Sequence, residues 1–206
     1  MQKMHIYLFL LLTFVTHWAL AQSSTSKILV MGDSLSAGYG IDIQQGWVSL
    51  LDKALAQSHQ VEIINASISG ETSSGGKTRL PALLAEHKPN LVILELGGND
   101  ALRGQPLKLL ENNLQTMIDA SKSAGAKVIL AGMQIPPNYG QRYSNQFKDL
   151  YPSLAEKNQL GLIPFLLEGI GGKAELMQRD GIHPTAEAQI IILENVLPEV
   201  NKHLTK

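Results

Sequence analysis

The sequence predicts an α/β domain built on an open, five-stranded parallel sheet with helices on both faces. Three observations lead there. Five short apolar runs of strand length recur along the chain, amphipathic stretches of helix length separate them, and the segments after the runs are rich in Gly, Ser and Asn. Apolar runs without alternation suit strands covered on both faces, and strands alternating with helices build right-handed crossovers.

The runs fall at 27–31 (KILVM), 61–65 (VEIIN), 91–96 (LVILEL), 127–131 (KVILA) and, more weakly, 162–165 (LIPF). Pro164 cannot donate to a ladder, which puts the fifth run at a sheet edge. Helices are expected near 44–58, 76–87, 106–124, 144–158 and 185–203. No repeat, linker or charge block divides residues 22–206, so these are expected to form one domain.

Residues 1–21 stand apart. Lys3, the apolar stretch 6–15 (IYLFLLLTFV) and Ala19-Leu20-Ala21 form the three parts of a secretory signal, with cleavage expected after Ala21. The stretch is half the roughly 20 residues that cross a bilayer, so no transmembrane anchor is expected in the mature chain. The mature protein is expected to be periplasmic or secreted, and a monomer.

Composition narrows the chemistry. Lys plus Arg number 17 against 18 for Asp plus Glu, which leaves no basic excess for nucleic acid. There is no Cys, so disulfides, thiolate metal sites and cysteine nucleophiles are excluded.

In open α/β sheets ligands sit outside the carboxyl ends of the strands. The segments to search are therefore GDSLSAGYG, ASISGETSSGG, GGNDALRG and GMQIPPNYG. In the first, Ser34 sits at a strand-to-helix junction, where a hydroxyl can be exposed; turn and cap chemistry by Asp33, Ser34 and Ser36 is the bland alternative. The pattern is neither GxSxG nor a Gly-rich nucleotide fingerprint. Near the C-terminus, Asp180-Gly181-Ile182-His183-Pro184-Thr185 lets a carboxylate reach an imidazole three residues on, as a general base requires. Pro184 keeps His183 out of the helix, and Thr185 is placed to cap it. A structural His–Asp pair remains the alternative, while two ligands alone do not make a metal site. Asn99 offers a side-chain donor to a developing oxyanion, Gly70 offers a backbone N–H, and Asp100 reads as a cap or turn residue.

Taken together, a nucleophile, an oriented base and three donors (Ser34 N–H, Gly70 N–H and the Asn99 amide) make a complete acyl-transfer site. GDSLSAGYG, NASISGETSSGG, ELGGND and DGIHPT resemble, in order and spacing, the blocks of the SGNH, or GDSL, hydrolase family. NASISGETS, RLPALL, ELGGNDALRG and PPNYGQRY are similar to its periplasmic thioesterase/lysophospholipase/arylesterase branch. The resemblance implies a flavodoxin-like three-layer α/β/α sandwich. It also implies Ser34 as nucleophile, His183 as base, Asp180 as its orienter and Ser34, Gly70 and Asn99 as the oxyanion hole, with no cofactor and no metal. Expected substrates are small acyl esters and thioesters carrying one acyl chain, lysophospholipids among them.

Substrate contacts are expected at Met133, Ile135, Pro136 and Tyr139, although that segment also reads as an ordinary packed loop. Gly75 and Leu80 are expected substrate contacts in a mobile flap (GGKTRLP), or else Gly75 and Gly76 only precede a helix. Two rivals stand beside the esterase reading: a carbohydrate O-deacetylase with the same blocks, and a lipid-binding protein without turnover.

Overall fold

The computed structural model describes residues 25–204; the expected signal segment lies outside them. The chain runs β1 (Ser26–Gly32), α1 (Ser34–Ala37), α2 (Trp47–Leu55), β2 (Val61–Asn65), α3 (Ser73–His87), β3 (Leu91–Glu95), α4 (Gly98–Leu102), α5 (Leu107–Ser123), β4 (Lys127–Ala131), α6 (Gln141–Asn158), β5 (Gly161–Ile163) and α7 (Gln189–Leu204). The five strands form one sheet in the order β2-β1-β3-β4-β5, every pair parallel.

Side-chain alternation along the buried strands divides the core in two. From β1, Leu29 and Met31 point into one layer with Leu80 and Leu84 of α3, Leu114 and Ile118 of α5, and Phe147 and Tyr151 of α6. Ile28 and Val30 point into the other with Trp47 and Leu51 of α2 and Ile192 and Val196 of α7. That is the three-layer sandwich. Each such aliphatic side chain, fully buried, stabilises by about 1.5–3 kcal/mol.

The strand order reverses direction around β1, so a crevice opens between the carboxyl ends of β1 and β3. β1 ends at Gly32 and β3 at Glu95, paired side by side in the ladder. Whatever follows these two strands is brought to one place.

Three expectations change. The GGKTRLP segment is no flap. Thr72 Oγ1 accepts the Gly75 amide at 3.3 Å, starting α3 at Ser73, so Gly75 and Gly76 lie within the helix. Gly76, Leu80 and Leu84 are its buried stripe, at the four-residue spacing of one helix face. A Cβ at Gly76 would collide with Leu96, so glycine here permits close helix–sheet approach. Thr185 does not cap α7, which begins four residues later at Gln189. β5 is the edge strand, as Pro164 implies, but it ends at Ile163 with Pro164 just beyond it. None of the described helices is long and apolar enough to cross a membrane.

Candidate active site

Ser34 opens the single-turn helix α1, and the Asp33 carboxylate before it accepts the Leu35 amide at 3.0 Å. The cap holds the turn tightly enough to aim the serine outward from the end of β1. Gly38, left-handed at φ 74°, closes the helix.

The 180s segment is a self-contained loop. Asp180 Oδ1 accepts the amides of Ile182 (2.9 Å) and His183 (3.0 Å), an Asx turn made possible by Gly181 at φ 68°. The His183 carbonyl accepts Gln178 N at 2.7 Å, and Met177 bridges Pro184. Gln178 Nε2 donates to the carbonyls of both Tyr39 (2.8 Å) and Pro184 (2.9 Å), stitching this loop to the one after α1.

The two segments meet at the hydroxyl. His183 Nε2 lies 2.8 Å from Ser34 Oγ, and His183 Nδ1 lies 2.6 Å from Asp180 Oδ2. Because an ionised carboxylate only accepts, Nδ1 carries the proton and Nε2 presents its lone pair to the serine. Burial alone would raise Asp180. The His183 amide, the His183 ring and the Ile182 amide outweigh it and bring the carboxyl down to about 2. The Tyr39 ring lies over the imidazole, centroids 4.4 Å apart.

Asn99, on α4 just after β3, donates from Nδ2 to Asp33 Oδ2 at 3.0 Å. Its carboxamide has a second N–H, and Asn99, Ser34 and His183 line the same cavity. Gly70 sits at φ 80° in the exposed loop after β2. That loop is tied to β1 by Ile68 N to Gly32 O (3.1 Å), while Arg103 Nη2 donates to the Gly70 carbonyl at 3.1 Å. Asp100 is buried and accepts Ser73 N (2.8 Å) and Ser73 Oγ (2.6 Å), anchoring the start of α3 away from the chemistry.

The cavity measures about 460 Å³, within the usual range for small-molecule sites. Leu35, Leu102, Met133, Ile135, Phe165 and Leu167 give it apolar walls, with Pro136 and Ile182 also among its lining residues. Of the expected substrate contacts, Met133, Ile135 and Pro136 line it. Tyr139 is exposed in the single 3₁₀ turn Pro137–Tyr139 beyond, Gly75 packs on Glu71, and Leu80 is fully buried on the inner face of α3; none of these three lines the cavity. Sequence reasoning passed over the segment after β5, which supplies Phe165, Leu166, Leu167, Gly171 and Gly172; its apolar residues carry no motif. Among the described residues no group of three or more His, Asp or Glu side chains could hold a metal ion.

Comparison with known proteins agrees in extent. The GDSL-like Lipase/Acylhydrolase family model matches residues 30–189. Esterase TesA of Pseudomonas aeruginosa is 52% identical over 178 residues, 86% of this chain and 89% of that protein. An arylesterase of Vibrio mimicus is 50% identical, covering 94% of this chain and 98% of its own length. The Escherichia coli protein named thioesterase 1/protease 1/lysophospholipase L1 is 41% identical over 90% of this chain and 87% of its own. Among solved structures, TesA superposes with a TM-score of 0.85 (52% identity, 87% of this chain, all of that one). The psychrotrophic esterase EstA of a Pseudoalteromonas species, inhibited by monoethylphosphonate, superposes at 0.81 (42% identity, 88% and 100%).

Proposed function

The chain belongs to the GDSL-like lipase/acylhydrolase family, and from that membership and the site geometry we propose how it works as a serine hydrolase of carboxylic esters and thioesters. The observation that carries the reading is the unbroken line Ser34 Oγ, His183 Nε2, His183 Nδ1, Asp180 Oδ2, at 2.8 and 2.6 Å, facing an apolar cavity.

Ser34 Oγ attacks the acyl carbonyl while His183 Nε2 takes its proton, and Asp180 holds the imidazolium that forms. The tetrahedral oxyanion is received by the Ser34 and Gly70 amides and the second N–H of Asn99. The Ser34 N–H is the first of α1, and helices leave their first N–H groups without internal partners. His183 then protonates the departing alcohol or thiol, and water attacks the acyl-enzyme by the same route in reverse.

The substrate side is read from the cavity and the relatives' names. Apolar walls suit one acyl chain, and would leave the hydroxyls of a sugar without partners. Aryl esters, acyl thioesters and lysophospholipids are the substrates that the names arylesterase and thioesterase 1/lysophospholipase L1 suggest. Residues 1–21 act as an export leader, so this chemistry takes place in the periplasm or outside the cell. Support for that lies in Lys3, the apolar stretch and the Ala19-Leu20-Ala21 pattern.

Labelling with an alkyl fluorophosphonate tests the assignment. The modified peptide should map to Ser34, and Ser34→Ala should abolish labelling and lower ester turnover by on the order of 10⁵-fold or more. Turnover near wild type in that variant would sink the reading. Activity confined to acetylated polysaccharide, with none on para-nitrophenyl octanoate or palmitoyl-CoA, would move the protein to the deacetylases.

A further inference from the structure

Glu95 ends β3 with its side chain fully buried, directly behind the proposed nucleophile. Its Oε2 accepts the Asp33 amide at 3.0 Å and the Ser36 hydroxyl at 2.6 Å. Its Oε1 is buried and has no hydrogen-bond partner among the described residues. The carboxyl lies so close to β1 that a Cβ on Gly32 would stand 2.5 Å from Oε2 and 2.7 Å from Ser36 Oγ. The glycine of the GDSL block is thus explained by a residue 63 positions away in the chain.

The partner of this acid is Asp33. Asp33 Oδ1 is taken by the Leu35 amide and Oδ2 by the Asn99 carboxamide, each at 3.0 Å, so both oxygens already act as acceptors. The two carboxyls are neighbours, because Glu95 Oε2 holds the amide of Asp33 itself. Two buried anions in contact would each lack a counter-ion. One bound proton removes the conflict, and of the four carboxyl oxygens only Glu95 Oε1 has no hydrogen bond to give up.

We propose that Glu95 is a positioning residue for the oxyanion-binding amide: an uncharged acid whose Oε2 holds the Asp33 amide and the Ser36 hydroxyl, so that Asp33 in turn fixes Asn99. The proposal rests on the serine hydrolase reading for the role of Asn99, and on burial and the hydrogen-bond pattern of Glu95 for the proton. Asp33, as the only charge of the pair, orients one N–H of Asn99 and leaves the other pointed at substrate. The surroundings favour that arrangement. Burial first, and then the adjacent Asp33 charge, push Glu95 well above the usual carboxylate range. Burial raises Asp33 only to about 6, because the Leu35 amide, His183, the Asn99 carboxamide and Glu95 itself oppose it. The other ionisable group facing the pair is Tyr151 on α6, which brings no positive charge.

The test combines infrared spectroscopy with kinetics on the full-length mature enzyme. Isotope-edited spectra at neutral pH should show a protonated-carboxyl C=O band that Glu95→Gln removes. Glu95→Leu should lose about 10- to 100-fold in kcat with KM little changed, a fraction of what deleting an oxyanion donor outright costs. Glu95→Gln, which keeps an acceptor for Asp33 N and Ser36 Oγ and stays uncharged, should restore most of that loss. No band lost in Glu95→Gln, no rescue by glutamine, or a loss borne by KM would each overturn the proposal. If Glu95→Leu does not fold, the band and the glutamine variant decide alone. Retained turnover in Ser34→Ala would sink the hydrolase reading instead, and would leave the infrared result standing.

Discussion

Two carboxylate clusters flank one hydroxyl, and they are built in opposite ways. Asp180 is partly exposed, and its loop surrounds it with the Ile182 and His183 amides and the His183 ring. Asp33 and Glu95 lie beneath Ser34, out of reach of water, with only neutral donors to offset their charge. The first carboxylate is pulled down to about 2, whereas burial pushes the second pair up. The same functional group thus does two jobs. On the proposed mechanism, a charged carboxylate holds a cation as it forms on His183, and a buried pair carrying one proton holds a neutral amide still. Environment, not residue type, decides between them.

Breaking the exposed side should cost most. Asp180→Asn keeps the Asx turn's shape but offers an amide where His183 needs an acceptor, so the ring can adopt the wrong tautomer. The expected fall in kcat is about 10³- to 10⁴-fold with KM little altered, read by steady-state kinetics on a para-nitrophenyl ester. A fall below tenfold would mean that the loop alone orients His183. On the buried side, Asn99→Ala should lower kcat by about 10²- to 10³-fold, again without raising KM. A rise in KM at constant kcat would show that Asn99 holds ground-state substrate and not the transition state.

The sequence exposes these two sides unequally. Asp180 and His183 are three residues apart, and the Gly181 and Pro184 beside them announce the turn, so the exposed dyad can be read from local chemistry. Ser34 and Asn99 can be located because each follows an apolar strand directly. Glu95 cannot be found that way. It reads as the polar end of an apolar run, and its role exists only because the ladder sets β3 beside β1 and brings Gly32, Asp33 and Ser36 against it. The single-turn helices α1 and α4 escape notice for a different reason, since four or five residues show no periodicity. The glycines before Leu80 suggest mobility, whereas the Thr72 cap and the stripe of Gly76, Leu80 and Leu84 make the segment a helix with a buried face.

The smallest effect is the one that separates the clusters most cleanly, because it concerns stability and not catalysis. Asp180 has a folded pKa below its unfolded value of 3.8, so its contribution is present above pH 3.8 and is lost as pH falls through about 2. Asp33 and Glu95 have folded values above 3.8 and 4.5, so they favour the folded state in acid. For Asp33 that advantage is lost as pH rises from about 4 through about 6, and for Glu95 it continues to fall at higher pH. The contributions of the two clusters therefore slope in opposite directions, in windows that scarcely overlap. Relative to wild type, Asp180→Asn should flatten the acid limb of a plot of Tm against pH. Glu95→Gln should flatten the limb above pH 4.5, because glutamine never ionises in the unfolded chain. The glutamine variant should match wild type near pH 4 and exceed it at pH 8, where each kcal/mol of relief is worth about 2–4 °C of Tm. A Glu95→Gln curve parallel to wild type from pH 4 to 8 would mean that Glu95 ionises as readily in the folded protein as in the unfolded chain. The contrast between the two clusters would then collapse.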